Sequence, residues 1–179
     1  KEEIKRVLPV MLKSAIIIAK KIDAQFVIAK AQQVEWDIYN TLIKDLGLEI
    51  KIVEGKPYDC MNIADFCLVC SGTATLETTI MQKPFCLVYK TSALNYLLYR
   101  PQIKLPYIGL VNIVAGRKII PEFIQFNASP KKIADYSVKT LQDKTKLQNI
   151  SNDLAKTSAS LGTKGAASRA AKIIDDFLR

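Results

Sequence analysis

Residues 67–90 carry the stretch CLVCSGTATLETTIMQKPFCLVYK, which holds two apolar runs separated by a small polar turn and a helical segment. The first run ends at Ser71 and the second begins after Pro84. Two buried strands joined by a helix are the repeating unit of a parallel α/β sheet, so the stretch predicts a strand–helix–strand crossover. It also predicts a ligand site, because open parallel sheets bind ligands beyond the carboxyl ends of their strands.

The same alternation extends toward the start of the chain. We predict strands at residues 25–29, 49–53, 65–70 and 84–89, and helices at 2–20, 35–46, 59–64 and 73–81. This rhythm is typical of a Rossmann-like, doubly wound parallel sheet with right-handed crossovers. Because the rhythm opens with a helix, we expect the first strand of the sheet and the turn that follows it to be absent from this chain.

The pattern changes after residue 89. We predict a short helix at residues 93–99, an extended connection, a loop at 112–117, and helices at 130–142, 145–157 and 166–178. We therefore divide the chain into an α/β domain at residues 1–143 and a helical C-terminal extension at 144–179. The extension is expected to pack on a further domain or on a partner subunit.

Composition bounds the classes of function. Of the 179 residues 49% are apolar, which excludes a disordered chain. The 26 Lys and Arg residues against 17 Asp and Glu residues give a net charge of +9, which favours acidic partners such as phosphate esters, anionic lipid surfaces or nucleic acid. The lysines are spread rather than clustered and no aromatic–basic RNA motif occurs, so we expect no nucleic acid partner.

Metal and cofactor chemistry has little support in the sequence. There is no histidine, the commonest metal ligand. Cys67 and Cys70 form a C-x-x-C spacing, but residues three apart on a strand point to opposite faces of the sheet. We therefore expect no metal site, no cofactor, and thiols that serve packing.

The turn after the first apolar run has the residue types of a phosphate site. Gly72 allows a ligand to approach the backbone closely, and Ser71, Thr73 and Thr75 supply hydroxyl donors. The free N–H groups at the start of the following helix also suit an anion. The alternative is ordinary helix capping, for which serine and threonine are routine.

Glu77 is less easily explained by capping. A capping-box glutamate lies three residues after a serine or threonine cap, and the residue at that distance is Ala74, which cannot cap. A carboxylate one turn into this helix is suited to the hydroxyls of a ribose. The alternative is a solvated surface acid.

These residues resemble a known family. SGTATLE at residues 71–77, followed by NIVAGR at 112–117, is similar to the C-terminal half of the lipid-A-disaccharide synthases, which have the GT-B glycosyltransferase fold. The resemblance implies transfer of 2,3-diacylglucosamine from UDP to 2,3-diacylglucosamine 1-phosphate, giving lipid A disaccharide 1-phosphate and UDP, without a metal. In that family the C-terminal domain holds the UDP donor.

The resemblance also assigns residues. It implies that the turn faces the diphosphate, that Glu77 faces the uridine ribose, and that a second donor-side loop follows later; the donor-binding set is Ser71, Gly72, Thr73, Ala74, Thr75, Glu77, Asn112, Gly116 and Arg117. Without the resemblance, Arg117 is as well explained by pairing with an acid such as Glu122. The chain departs from the family at Val111 and Lys118, where a proline and an acid are common.

The resemblance further implies partners and location. The acceptor and the catalytic base belong to an N-terminal domain that this chain lacks, so we expect the fragment to be inactive alone. An anionic membrane surface, a domain-exchanged homodimer and a cytoplasmic, peripheral position on the inner membrane of a Gram-negative bacterium are also implied. The alternatives are the donor domain of another GT-B enzyme, a UDP-GlcNAc epimerase, or a basic nucleic-acid- or lipid-binding module.

Overall fold

A computed structural model describes residues 2–99, 105–162 and 165–178. The helices of these residues are α1 (Glu2–Ala19), α2 (Trp36–Ile43), α3 (Pro57–Ile63), α4 (Ala74–Ile80), α5 (Ala93–Tyr99), α6 (Leu110–Ala115), α7 (Pro130–Leu141), α8 (Lys144–Ser160) and α9 (Ala166–Leu178). The strands are β1 (Phe26–Lys30), β2 (Ile50–Glu54), β3 (Cys67–Cys70), β4 (Phe85–Tyr89) and β5 (Glu122–Ile124). A 3₁₀ turn at Gln125–Asn127 joins β5 to α7.

Every strand pairing among the described residues is parallel, which confirms the predicted α/β class. β1 pairs with β2, while β3, β4 and β5 pair in that order. Helices α2, α3 and α4 connect successive strands, as parallel pairing requires. The strands therefore form two hydrogen-bonded groups, and within the described residues β1 and β3 each have a neighbour on one side only.

The core lies on both faces of β4. Phe85 and Leu87 pack into a cluster that includes residues of α6 and α8, whereas Cys86 and Val88 pack into a second cluster with residues of α1 and α7. All four side chains are fully buried. Alternate residues of a strand point to opposite faces, so β4 is a central strand covered by helices on both sides.

The helical region after β5 partly joins this core. Pro130 occupies the first turn of α7 after Ser129, as predicted, and Asp143 caps α8 by accepting a hydrogen bond from the Lys146 N–H at 2.9 Å. α8 packs against α4 and α6, and its Leu154 is fully buried. None of the described residues of α9 is buried.

Three elements of the structure differ from the prediction. The loop expected at 112–117 is mostly helix α6, which ends where Gly116 adopts a left-handed conformation with φ of 65°. Strand β5 was not predicted, because three residues after a proline leave no periodic pattern. Helix α3 begins at Pro57, earlier than expected, since proline is well suited to the first helical position.

Candidate functional site

The predicted phosphate turn lies at the carboxyl end of β3. This strand ends at Cys70, which is in register with Val88 of the central strand. Gly72 follows with φ of 143°, a conformation that residues with a side chain rarely adopt. A Cβ atom placed on Gly72 has no neighbour within 4 Å, so the turn borders open space. The backbone of the turn is therefore accessible at the edge where parallel sheets bind ligands.

The hydroxyls of the turn do not serve as helix caps. Thr73 occupies the N-cap position of α4, yet its side chain forms no capping hydrogen bond. The Thr75 hydroxyl is fully buried and donates to the Gly72 carbonyl at 2.7 Å, which stabilises the turn internally. Among the residues that the structure describes, the Ser71 and Thr73 hydroxyls have no hydrogen-bond partner. These two hydroxyls are thus available to a ligand, whereas that of Thr75 is not.

Glu77 lies one turn into α4 and is partly buried. Its backbone N–H donates to the Thr73 carbonyl at 3.0 Å. Its carboxylate forms no ion pair or hydrogen bond within the described parts of the chain, so it does not complete a capping box. The carboxylate is therefore free to accept hydrogen bonds from a bound molecule on the same side of the sheet edge as the turn.

Asn112 is used differently. It is fully buried, and its amide nitrogen donates to the Ile120 carbonyl at 3.0 Å and to Glu122 Oε1 at 2.9 Å. Its amide oxygen accepts from the N–H groups of Ile119 at 2.8 Å and Ile120 at 3.1 Å. All the hydrogen-bonding capacity of Asn112 is thereby spent on holding the segment that leads into β5.

Arg117 is also committed within the chain. Its Nη2 lies 2.7 Å from Asp153 Oδ1 on α8, and this hydrogen bond raises the pKa of the guanidinium. The acid suggested by sequence, Glu122, instead accepts from the backbone N–H groups of Ile108 and Gly109, each at 3.0 Å. Its carboxylate thus holds the start of α6.

The two groups of predicted site residues lie on or beside helices that pack against each other, α4 and α6, but within the described residues they share no polar contact. No hydrogen bond or ion pair among the described residues joins the turn at 71–77 to Asn112, Gly116 or Arg117. The segment from 116 to 121 enters β5 from its amino end, whereas the turn follows the carboxyl end of β3. The turn with Glu77 is therefore one unit, and the segment at 112–122 is another.

Two features at the carboxyl ends of the strands were missed from the sequence. The first is a Lys30–Glu54 ion pair between register partners of β1 and β2, in which the lysine side chain is only 1% exposed. The lysine ammonium also lies 4.9 Å from the centroid of the Trp36 ring, and its hydrogen bond lowers the pKa of Glu54. A lysine ending one apolar run and a glutamate ending the next were the available signal.

The second feature is Gln125, directly after β5. It is 5% exposed and has φ of 48°, in the left-handed region. The Thr91 N–H donates to Gln125 Oε1 at 3.1 Å, and Gln125 Nε2 donates to the Thr91 carbonyl at 3.2 Å. This side chain therefore fixes the backbone of the loop that follows β4. No sequence signal indicated this pairing.

The cysteines behave as packing residues. Cys67 belongs to the cluster on the α8 side and Cys70 to the cluster on the α1 side, which confirms that they lie on opposite faces. Burial raises the pKa of Cys67 to about 11 and that of Cys70 to about 12, so both thiols stay protonated and unreactive near neutral pH.

Within residues 2–99, 105–162 and 165–178, no helix combines the length and the apolar character that a bilayer crossing needs.

Comparison with known proteins identifies similar chains. The family profile described as "Lipid-A-disaccharide synthetase" matches residues 1–177. The lipid-A-disaccharide synthase of Persephonella marina is 38% identical over 180 residues, covering 98% of this chain and 48% of that protein. That of Syntrophus aciditrophicus is 40% identical over 177 residues, covering 96% and 45%, and that of Syntrophotalea carbinolica is 33% identical over 180 residues, covering 100% and 46%. The chain spans about half the length of the curated relatives it matches.

Proposed function

Because the chain belongs to the lipid-A-disaccharide synthase family, we propose that it is the donor-binding half of a glycosyltransferase. The reaction moves 2,3-diacylglucosamine from UDP to 2,3-diacylglucosamine 1-phosphate and releases UDP. The observation that carries this proposal is the turn at residues 71–77. It lies at the carboxyl end of β3, and the polar groups of Ser71, Thr73 and Glu77 are not used within the described residues.

Each group of the turn suits a part of UDP. The Ser71 and Thr73 hydroxyls and the backbone at Gly72 bind the diphosphate, since hydroxyl and N–H donors match phosphate oxygens. As the glycosidic bond breaks, negative charge grows on the departing diphosphate, and donors already in place stabilise it without rearrangement. Glu77 accepts hydrogen bonds from the ribose hydroxyls, because an ionised carboxylate offers two acceptor oxygens.

The second group of family residues acts indirectly in this proposal. Asn112 and Gly116 hold the path of the chain from α6 into β5, and β5 in turn pairs with the central strand. Arg117 reaches a donor phosphate only after leaving Asp153. We therefore assign direct donor contacts to the turn and a supporting role to the segment at 112–122.

The remaining half of the enzyme supplies what this half lacks. Its contributions are the acceptor site, the catalytic base, and a parallel strand between β1 and β3. The support for a strand that joins the two groups is that no pairing links β1 and β2 to β3, β4 and β5 within the described residues. We place the enzyme on the cytoplasmic face of the inner membrane as a peripheral protein, since its substrates carry acyl chains and the chain has a net charge of +9.

The test is glycosyl transfer by the full-length protein that carries this chain. With UDP-2,3-diacylglucosamine as donor and the acylated glucosamine 1-phosphate as acceptor, mass spectrometry should detect the disaccharide product and UDP. Glu77→Gln should raise the KM for the donor about tenfold or more, as loss of a hydrogen bond to a charged group does. Glu49→Gln, an exposed acid just before the amino end of β2, is the control and should leave the KM unchanged. Absence of disaccharide with both substrates present would refute the proposal.

A further inference from the structure

The loop that follows β4 lies beside the turn that follows β3. The two strands are parallel neighbours, with Cys70 in register with Val88. Continuing that register along both chains brings Lys90 level with Gly72. Lys90 is the first residue after β4 and Ser71 the first after β3, and adjacent strands lie about 4.8 Å apart, so both residues leave the same edge of the sheet within reach of a lysine side chain.

The side chain of Lys90 points to a defined face. Cys86 and Val88 pack in the cluster on the α1 side of the sheet, and Lys90 continues that alternation. The first turn of α1 reaches the same edge, since the Cys70 thiol donates to Glu3 Oε1 at 3.2 Å. By that alternation Lys90 lies on the α1 face of the sheet, at the edge where the turn follows β3.

The charge of Lys90 is not used within the described residues. It is partly buried, and its ammonium forms no hydrogen bond or ion pair there, although Glu3 lies on the same face. The turn itself offers hydroxyls and a carboxylate but no cation. Arg117, the cation that the sequence suggested for the donor, is paired with Asp153. A departing diphosphate is stabilised by fixed positive charge, and Lys90 is placed to supply it.

A strained residue holds this lysine in place. Gln125 has a left-handed φ of 48°, a conformation that residues with a side chain adopt uncommonly and that Gln82 also has. In that conformation its amide binds both backbone groups of Thr91, the residue after Lys90. Fixing Thr91 at both its N–H and its carbonyl fixes the direction in which Lys90 leaves the sheet. Such strain concentrates at functional sites, which is consistent with a positioning role.

We propose that Lys90 binds the diphosphate of the UDP donor and that Gln125 is the residue that positions it. This inference rests on the proposed function and adds to it a cation for the leaving group. It makes a sharp distinction between ligands: UDP carries the diphosphate, whereas uridine has the same base and ribose without it. Loss of Lys90 must therefore weaken the binding of UDP and leave the binding of uridine unchanged.

The experiment measures the Kd of UDP and of uridine by calorimetry on the full-length protein. Lys90→Met should weaken UDP about tenfold to a hundredfold, as loss of a charge-assisted hydrogen bond does, and change uridine less than twofold. Lys90→Arg should restore most of the UDP affinity, because the charge is kept. Lys51→Met, which removes an exposed lysine on β2, is the matched control and should leave both affinities unchanged.

Gln125→Gly separates positioning from folding. Glycine tolerates the positive φ but removes the amide and its two hydrogen bonds to Thr91, so the ratio of UDP to uridine affinity should fall in addition to any fall in melting temperature. A fall in melting temperature with an unchanged ratio would overturn the positioning role. Equal loss of UDP and uridine in Lys90→Met, or no loss of UDP, would overturn the role of Lys90. If Glu77→Ala still weakens uridine in that case, the proposed function stands; a wild-type protein that binds neither ligand would overturn both.

Discussion

The turn at residues 71–77 and the segment at residues 112–122 use their polar side chains in opposite ways. In the turn, the Ser71 and Thr73 hydroxyls and the Glu77 carboxylate have no partner among the described residues. In the segment, the polar groups of Asn112 and Glu122 are bound to neighbouring backbone. Both stretches carry residues that the family resemblance assigned to the donor site. Polar groups without a partner in the chain are suited to binding a ligand, whereas polar groups that are already hydrogen-bonded are suited to stabilising the fold. Mutations should therefore affect binding in the first region and stability in the second.

The largest effect is expected at Asn112. Asn112→Ala removes four hydrogen bonds and leaves the N–H groups of the partly buried Ile119 and the buried Ile120 without an acceptor, which should lower the free energy of unfolding by about 3–4 kcal/mol. Urea denaturation measures this loss, and the variant that remains folded should bind UDP normally. Asn149→Ala, an exposed residue of α8, should change stability by less than about 0.5 kcal/mol. An Asn112→Ala variant with full stability but no UDP binding would show that the segment at 112–122 binds the ligand.

A smaller effect is expected at Gly72. Gly72→Ala forces a side chain into φ of 143°, which should cost about 1–3 kcal/mol of stability and also displace the turn, so UDP binding should weaken. Gly162→Ala imposes a similar strain at φ of 86° after the end of α8 and should leave UDP binding intact. Equal effects of the two variants on the Kd of UDP would show that the turn has no special role.

The same contrast between hydrogen-bonded and unpaired side chains occurs within the turn, at Thr75 and Thr73. Thr75→Val removes a buried hydroxyl that donates to the Gly72 carbonyl, so the free energy of unfolding should fall by about 1 kcal/mol. Thr73→Val, at an exposed position, should cost less than about 0.5 kcal/mol but weaken UDP more than uridine. Thermal denaturation and calorimetry on both variants check these outcomes. A loss of UDP affinity in Thr75→Val alone, with a loss of stability in Thr73→Val alone, would contradict these roles of the two hydroxyls.

A small effect on stability is also expected at Arg117. Its partner Asp153 is an acid on α8, and both side chains are substantially exposed, at 56% and 30%. Arg117→Met should therefore change the free energy of unfolding very little. Because the arginine is committed to α8, the Kd of UDP should change less than twofold. A tenfold loss of UDP affinity, confirmed by an Asp153→Asn variant that binds UDP more tightly, would place Arg117 at the donor instead.

The fold was largely predictable because its strands are short apolar runs bounded by turns. β1, β2, β3 and β4 lie within the predicted runs or one residue from them. Burial on both faces gives β4 a continuous apolar signal, whereas β1 and β2 have exposed residues at alternate positions and depend on their bounding turns. β5 and α6 were missed because each is short. Gly116 was a usable sign that a helix ended there, but a helix of six residues has too little periodicity to be recognised.

The position of the candidate site was predictable, and the use of its side chains was not. SGTATLE follows an apolar run, so its place at a sheet edge depends on local sequence alone. The commitments of Asn112, Arg117 and Gln125 depend on residues distant in the chain, namely the start of β5, α8 and the loop after β4. Such contacts form only when the elements pack, and they decide which polar groups remain for a ligand.

We propose that UDP binds the turn and not the segment at 112–122, and glycine amides report on both. The full-length protein labelled with ¹⁵N-glycine can be titrated with UDP, with the Gly72 and Gly116 signals assigned through Gly72→Ala and Gly116→Ala. The Gly72 amide should shift and saturate with UDP, while the Gly116 amide should keep its position. A saturating shift at Gly116 with no shift at Gly72 would show that UDP binds at the segment and not at the turn.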